Sequence, residues 1–153
     1  MATTIAAVDP RTGTRGLLVE VHPGVTVPEQ VIRSFKERMF VRNIRVGLLV
    51  TRAQTMVLRD TLSSMDLSDN KYESHELDTK ELLAAAQVGG ATEQSEGAFA
   101  RQVVQMLEAI GSSWYSFLHP SAVSAMVPDV VGNLAEASLE VWDGLLDHDD
   151  AAE

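Results

Sequence analysis

Two carboxylates carry the first chemical suggestion in this chain. Asp9 follows a short apolar run, Ile5–Val8, and Glu20 lies inside a second one, Leu17-Leu18-Val19-Glu20-Val21-His22. Between them Arg11–Gly16, with its two glycines, reads as a turn. A short hairpin there brings both acids to the same end of a sheet, and two hard oxygen ligands on adjacent strands are the beginning of a Mg²⁺ site. A Mg²⁺ so held would polarise a phosphodiester and lower the pKa of an attacking water. The same residues have plainer uses. Asp-Pro is a common turn signal, and a Glu in a strand is more often a surface group.

The cations available to face a phosphate are unevenly placed. The chain has 153 residues with 12 Lys and Arg against 22 Asp and Glu, a net charge of −10. Residues 1–60 carry nine cations and five acids, a net of +4, and residues 61–153 carry three cations and seventeen acids, a net of −14. Broad coating of nucleic acid or of an anionic membrane is therefore excluded, and any DNA contact is expected to be local to residues 1–60. Eight of the nine early cations are Arg, whose planar fork suits phosphate or carboxylate. Arg33, Lys36 and Arg52 are the phosphate-contact candidates; the alternative is that they solvate the faces of a helix and two strands.

The elements that must position these groups can be read from apolar spacing. Ile5–Val8 and Leu17–His22 are strand-like and stopped by Asp9-Pro10 and Pro23-Gly24. Pro28 opens a helix to about Val41, with Val31, Ile32, Phe35 and Met39 on one face and basic residues on the other. Ile44–Thr51 and Thr55–Leu62 read as two strands joined by Arg52-Ala53-Gln54. Residues 63–76 read as polar loop, Asp78–Gln87 as a helix with an acidic first turn, and Val88–Glu96, with Gly89-Gly90, as a boundary. From Ala98 to Phe117 the spacing of Phe99, Val103, Met106, Leu107, Ile110, Trp114 and Phe117 predicts a helix. Leu134–Trp142 suits a strand or a helix, and His148 to Glu153 reads as a solvated acidic tail. The fold class is thus α/β: a small mixed β-sheet flanked by helices, with a core over residues 1–88, a mainly helical C-terminal portion over 89–147, and a tail over 148–153.

Asp9-Pro10, ten intervening residues, then Glu20-Val21-His22 at the end of an aliphatic strand resembles the signature of the PD-(D/E)XK, or restriction-endonuclease-like, superfamily. The helix beginning Glu29-Gln30 and the strand IRVGLLVT are similar to the N-terminal domains of type I restriction subunits, over roughly residues 5–62. The resemblance implies a restriction-endonuclease-like core in which Asp9 and Glu20 ligate Mg²⁺, and Gln30 matches the Gln of a helix motif. His22 stands where the family has Lys. An imidazole is only partly protonated near neutral pH and has a shorter reach. Ser34 and Phe35 stand where a Tyr would follow Gln30, and the chain starts almost at the first motif strand. A site so altered is expected to bind metal without cutting, as a degenerate domain acting in protein association or as a homo-oligomer. The alternative is a Mg²⁺-dependent nuclease hydrolysing DNA.

Other candidates are plainer. His22, His75, His119 and His148 lack metal-ligand spacing. Ser112-Ser113 lacks the nucleophile elbow, and Gly89-Gly90 lacks the Lys of a P-loop. Trp114, Tyr115 and Phe117 suit a core or interface better than base stacking. There is no Cys for a disulfide or thiolate site, no stretch long enough to cross a bilayer and no signal-peptide pattern, so a cytoplasmic protein is expected.

Overall fold

The structure, a computed structural model, describes residues 3–22, 24, 26–61, 72–86, 96–113, 129–135 and 137–142. Among the described residues ten elements follow one another: β1 (Thr3–Val8), β2 (Arg15–Val21), α1 (Glu29–Arg42), β3 (Val46–Val50), β4 (Gln54–Asp60), β5 (Tyr72–Asp78), α2 (Thr79–Ala85), α3 (Glu96–Ser113), α4 (Asp129–Leu134) and β6 (Ser138–Trp142). They build the mixed α/β architecture expected from the apolar spacing. The six strands form one sheet in the order β5-β4-β3-β2-β1-β6. Only β2 and β3 run parallel, because α1 carries the chain back between them; the other neighbours are antiparallel.

Aliphatic strands buried on both faces make the centre of this sheet. Leu17, Leu18, Val19, Leu48, Leu49 and Val50 are all closed off from solvent. On one face Leu18, Leu49 and Leu58 meet Phe35 and Met39 of α1. Gly47 lets that helix approach, since a Cβ there would lie 2.7 Å from both Met39 Sδ and the Phe35 ring. On the other face Ile5, Val19, Leu48, Val50 and Val57 pack with Leu82, Phe99, Val103, Met106, Leu107, Ile110 and Val130 from the remaining helices.

The ends of the elements have local causes. Pro28 precedes α1, and the helix stops where Asn43 turns left-handed at φ 56°, with the Asn43 and Ile44 amides donating to the Phe40 and Met39 carbonyls. Asp78 caps α2 by accepting from the Lys80 and Glu81 amides at 2.9 and 3.2 Å. Thr51 holds the β3–β4 turn, its hydroxyl accepting from the Gln54 amide at 3.0 Å.

One expectation is corrected here and one open alternative is resolved. The polar stretch 63–76 is not all loop: β5 starts at Tyr72 and pairs with β4 along its length. Leu134–Trp142 is divided, with α4 ending at Leu134 and β6 pairing with β1 from Ser138. Within the expected C-terminal portion, α3 and α4 share the core of the sheet and β6 is its edge. The proposed boundary at 88–89, Gly89-Gly90, the aromatic group at 114–117 and the tail at 148–153 lie outside the described residues, as do His119 and His148. Among the described residues no helix is long and apolar enough to cross a membrane.

Candidate functional site

Glu20 is the least ordinary side chain in the fold. It points from β2 to the face covered by α1, between Leu18 on its own strand and Leu49 on β3, and only 1% of the residue is exposed. A carboxylate so placed must find cationic or hydrogen-bonding partners or give up its charge. It finds two. His22, two residues along and therefore on the same face of the strand, brings Nε2 to 2.6 Å from Glu20 Oε1. Arg38, from the third turn of α1, donates to the other oxygen, Oε2.

Burial on its own pushes the Glu20 carboxyl up; the hydrogen bond with His22 and then the charge and hydrogen bond of Arg38 outweigh it and hold the group below the usual carboxylate range. Glu20 is thus an ionised, doubly engaged group. The Nε of Arg38 is buried with no hydrogen-bond partner among the described residues, so the guanidinium is held mainly by its contact with Glu20.

Asp9 lies elsewhere. In the β1–β2 register Glu20 faces Thr4 and Thr3 faces Val21, while Val8 faces Arg15. Asp9 lies five positions beyond Thr4, about 16 Å of extended chain. The expected meeting of the Asp9 and Glu20 carboxylates at one sheet end does not occur, because the turn begins at Asp9 itself. A carboxylate partner for Glu20 across the hairpin would have to stand at position 4, where the chain has Thr4. Asp9 works as a turn residue: its Oδ1 accepts from the Arg11 amide at 2.9 Å and its carbonyl accepts from the Gly13 amide at 2.7 Å. The Arg11 amide, then the Arg11 side chain, lower its pKa.

The other candidates are also dispersed. Gln30 is exposed in the first turn of α1, eight residues and about 12 Å of helix from Arg38, which is the residue that reaches Glu20. Arg33 and Lys36 line a groove of about 430 Å³ between α1 and β4–β5, floored by Val27, Ile32, Met56 and Leu58. The Lys36 ammonium sits 5.5 Å from the centre of the Tyr72 ring. Arg52 belongs to the other side of the sheet, stacked 5.0 Å over Phe99 of α3, so these three cations do not form one phosphate surface. His75 pairs with Glu73 at 3.0 Å on the exposed edge strand.

The donors fit Mg²⁺ poorly. One carboxylate, already bonded to a guanidinium and an imidazole, is far short of the six oxygens the ion takes, and among the described residues no group of three His, Asp or Glu could hold a metal. Arg38 was the residue missed from sequence. Its one signal is indirect: an acid inside an aliphatic strand demands a cation, and the covering helix supplies four, Arg33, Lys36, Arg38 and Arg42. No family model, no curated protein and no solved structure matches this chain.

Proposed function

We propose that the chain is a divergent nuclease-like domain of PD-(D/E)XK type that has lost metal-dependent cleavage and acts through protein association. The observation that carries this is the state of Glu20: both oxygens are engaged by His22 and Arg38, and Thr4 rather than an acid faces it across the hairpin. The hairpin, the crossover helix and the parallel strand that follow one another from β1 to β3 support the ancestry. Association is supported by large apolar side chains left at the surface, Val41 at 81% exposure near the end of α1 and Val141 at 52% on the edge strand β6.

Purified protein incubated with linear and supercoiled DNA, in Mg²⁺ or Mn²⁺ at low salt, is expected to leave the DNA intact. Sedimentation is expected to reveal self-association that weakens in Val41→Asp or Val141→Asp. Metal-dependent cleavage abolished by Glu20→Ala would instead establish the competing reading, a Mg²⁺-dependent DNA hydrolase. That reading is favoured by the shared placement of Glu20 and His22 at the carboxyl end of β2. A strict monomer that captures no partner from its native extract removes the association half of the proposal.

A further inference from the structure

The two edges of the sheet are unlike. β5 ends it on one side and β6 on the other, and among the described residues neither has a neighbour on its outer side. An edge strand presents a row of backbone donors and acceptors to any strand that can pair with it, and charged side chains are the usual guard against that. β5 is guarded: Glu73, Ser74, His75 and Glu76 are exposed in succession, with His75 bound to Glu73. β6 is not. Its five residues, Ser138 to Trp142, hold one charged group, Glu140, and Arg15 Nε on β2 answers that at 3.0 Å.

The side chains of β6 sort by register. Ala7 faces Leu139 and Ile5 faces Val141, so both β6 residues lie on the face that α3 and α4 cover. Leu139 is tucked against that core, whereas Val141, two residues on, is 52% exposed. The open edge thus carries a half-exposed β-branched residue suited to a cross-strand pair.

Charge decides the partner. Pairing β6 with the β5 of another copy would set Glu73 and Glu76 along Glu140, so copies do not add head to tail into a growing sheet. β6 against β6 brings no such row together. Antiparallel pairing about a two-fold axis is self-complementary: one contact satisfies the outer backbone groups of both strands and leaves only the two guarded β5 edges outside. Three such registers are centred within β6. With Glu140 opposite Glu140, like charges meet, and with Leu139 opposite Leu139, Val141 passes the end of the opposing strand. With Val141 opposite Val141, Glu140 faces Trp142 and both exposed valines are covered.

We propose that two copies of this chain join through β6, antiparallel about a two-fold axis with Val141 opposite Val141, so that their two six-stranded sheets become one. Joined so, the copies realise the protein association proposed above, on which this inference rests.

The chain contains no Cys, so single-cysteine variants report the contact directly. Sedimentation equilibrium of the full chain is expected to show a dimer. Val141→Cys is expected to form an intermolecular disulfide under mild oxidation, since residues directly opposite in an antiparallel pair have Cα atoms about 4.5–5.5 Å apart, within disulfide reach. Glu73→Cys on β5 is expected to stay unlinked. Val141→Asp and Val141→Lys should each weaken the dimer about tenfold or more, and a mixture of the two should restore it as a heterodimer, which a misfolded variant could not do. Failure of the mixture to associate, or linking at Leu139→Cys or Glu140→Cys in place of Val141→Cys, would overturn the opposed valines. Linking through Glu73→Cys, or a dimer broken by Val41→Asp and untouched by Val141→Asp, would overturn the β6 contact and leave association in place. A monomer at every concentration would overturn this dimer together with the self-association behind it.

Discussion

The two ends of the β1–β2 hairpin treat a carboxylate in opposite ways. At the end away from the turn, Glu20 is sealed under α1 and keeps its charge only because Arg38 and His22 meet it. At the turn, Asp9 is at the surface, its nearest cation is two residues away, and its main work is to accept a backbone amide. The first acid is a long-range constraint that ties a helix to a strand 18 residues earlier; the second is a local one that shapes four residues of chain. Burial, more than residue type, decides which role a carboxylate takes.

The largest expected effect comes from breaking the buried pair on its cationic side. Arg38→Met removes the guanidinium and leaves Glu20 charged beneath α1 with His22 alone. A buried charge stripped of its partner costs more than the pair contributed; with Arg38 itself about a third exposed, a loss of about 2–3 kcal/mol is expected in urea unfolding. Glu20→Gln keeps a hydrogen-bonding group of the same shape and should cost about 1 kcal/mol. The double variant should be more stable than Arg38→Met alone, because the orphaned charge is gone. Additive losses would show that the two side chains do not depend on each other.

Acid titration separates the two ends next. The folded-state pKa of Glu20 lies below its ordinary value of 4.5, so the pairing contributes fully above that value and is lost as pH falls through the lower folded one. Stability measured by denaturant between neutral pH and pH 3 should therefore fall less steeply below 4.5 in Glu20→Gln than in the parent chain. Parallel curves would mean that the carboxylate is not held ionised in the fold.

How much of this could be read from sequence follows the same division between local and long-range causes. The strands of the centre are written as unbroken aliphatic runs, and α1 as an apolar stripe that the structure buries at Phe35 and Met39. The start of α2 near Asp78 and the connection after Thr51 are local and legible. β5 was not, because YESHELD is an edge strand exposed along four successive residues, Glu73 to Glu76, and an edge so exposed leaves no alternation to detect. The supposed acid pair failed on register. In a hairpin the residues that face each other are equidistant from the turn, and the turn starts at Asp9; the spacing of the motif resemblance carried no information about where the chain would reverse. Arg38 was invisible for a third reason: four cations on α1 are equivalent until the rotation of the helix on the sheet is known, and that rotation is set by Phe35 and Met39 seating over Gly47.

The smallest effect is expected at the turn, and it sharpens the contrast most. Asp9→Ala deletes the acceptor for the Arg11 amide but leaves the backbone of the turn tied by three bonds: the Asp9 amide to the Thr14 carbonyl at 2.9 Å, and the Gly13 and Thr12 amides to the Asp9 carbonyl at 2.7 and 3.3 Å. Those bonds fix the reversal whatever side chain stands at position 9. The conformational demand falls instead on Gly13, which sits at φ 75°, where a side chain is strained. Gly13→Ala should therefore cost about 1 kcal/mol, and Asp9→Ala should shift the unfolding midpoint less than that and less than Glu20→Gln. Gly13→Ala should retain the slope of the parent below pH 4.5, and Asp9→Ala, which removes a carboxyl held below its ordinary 3.8 by Arg11, should flatten it less than Glu20→Gln does and only below that value. If Asp9→Ala proved the more damaging of the two, or flattened the acid limb as Glu20→Gln does, the acid at the turn would have to be acting beyond the turn, and the division between the two ends of the hairpin would not hold.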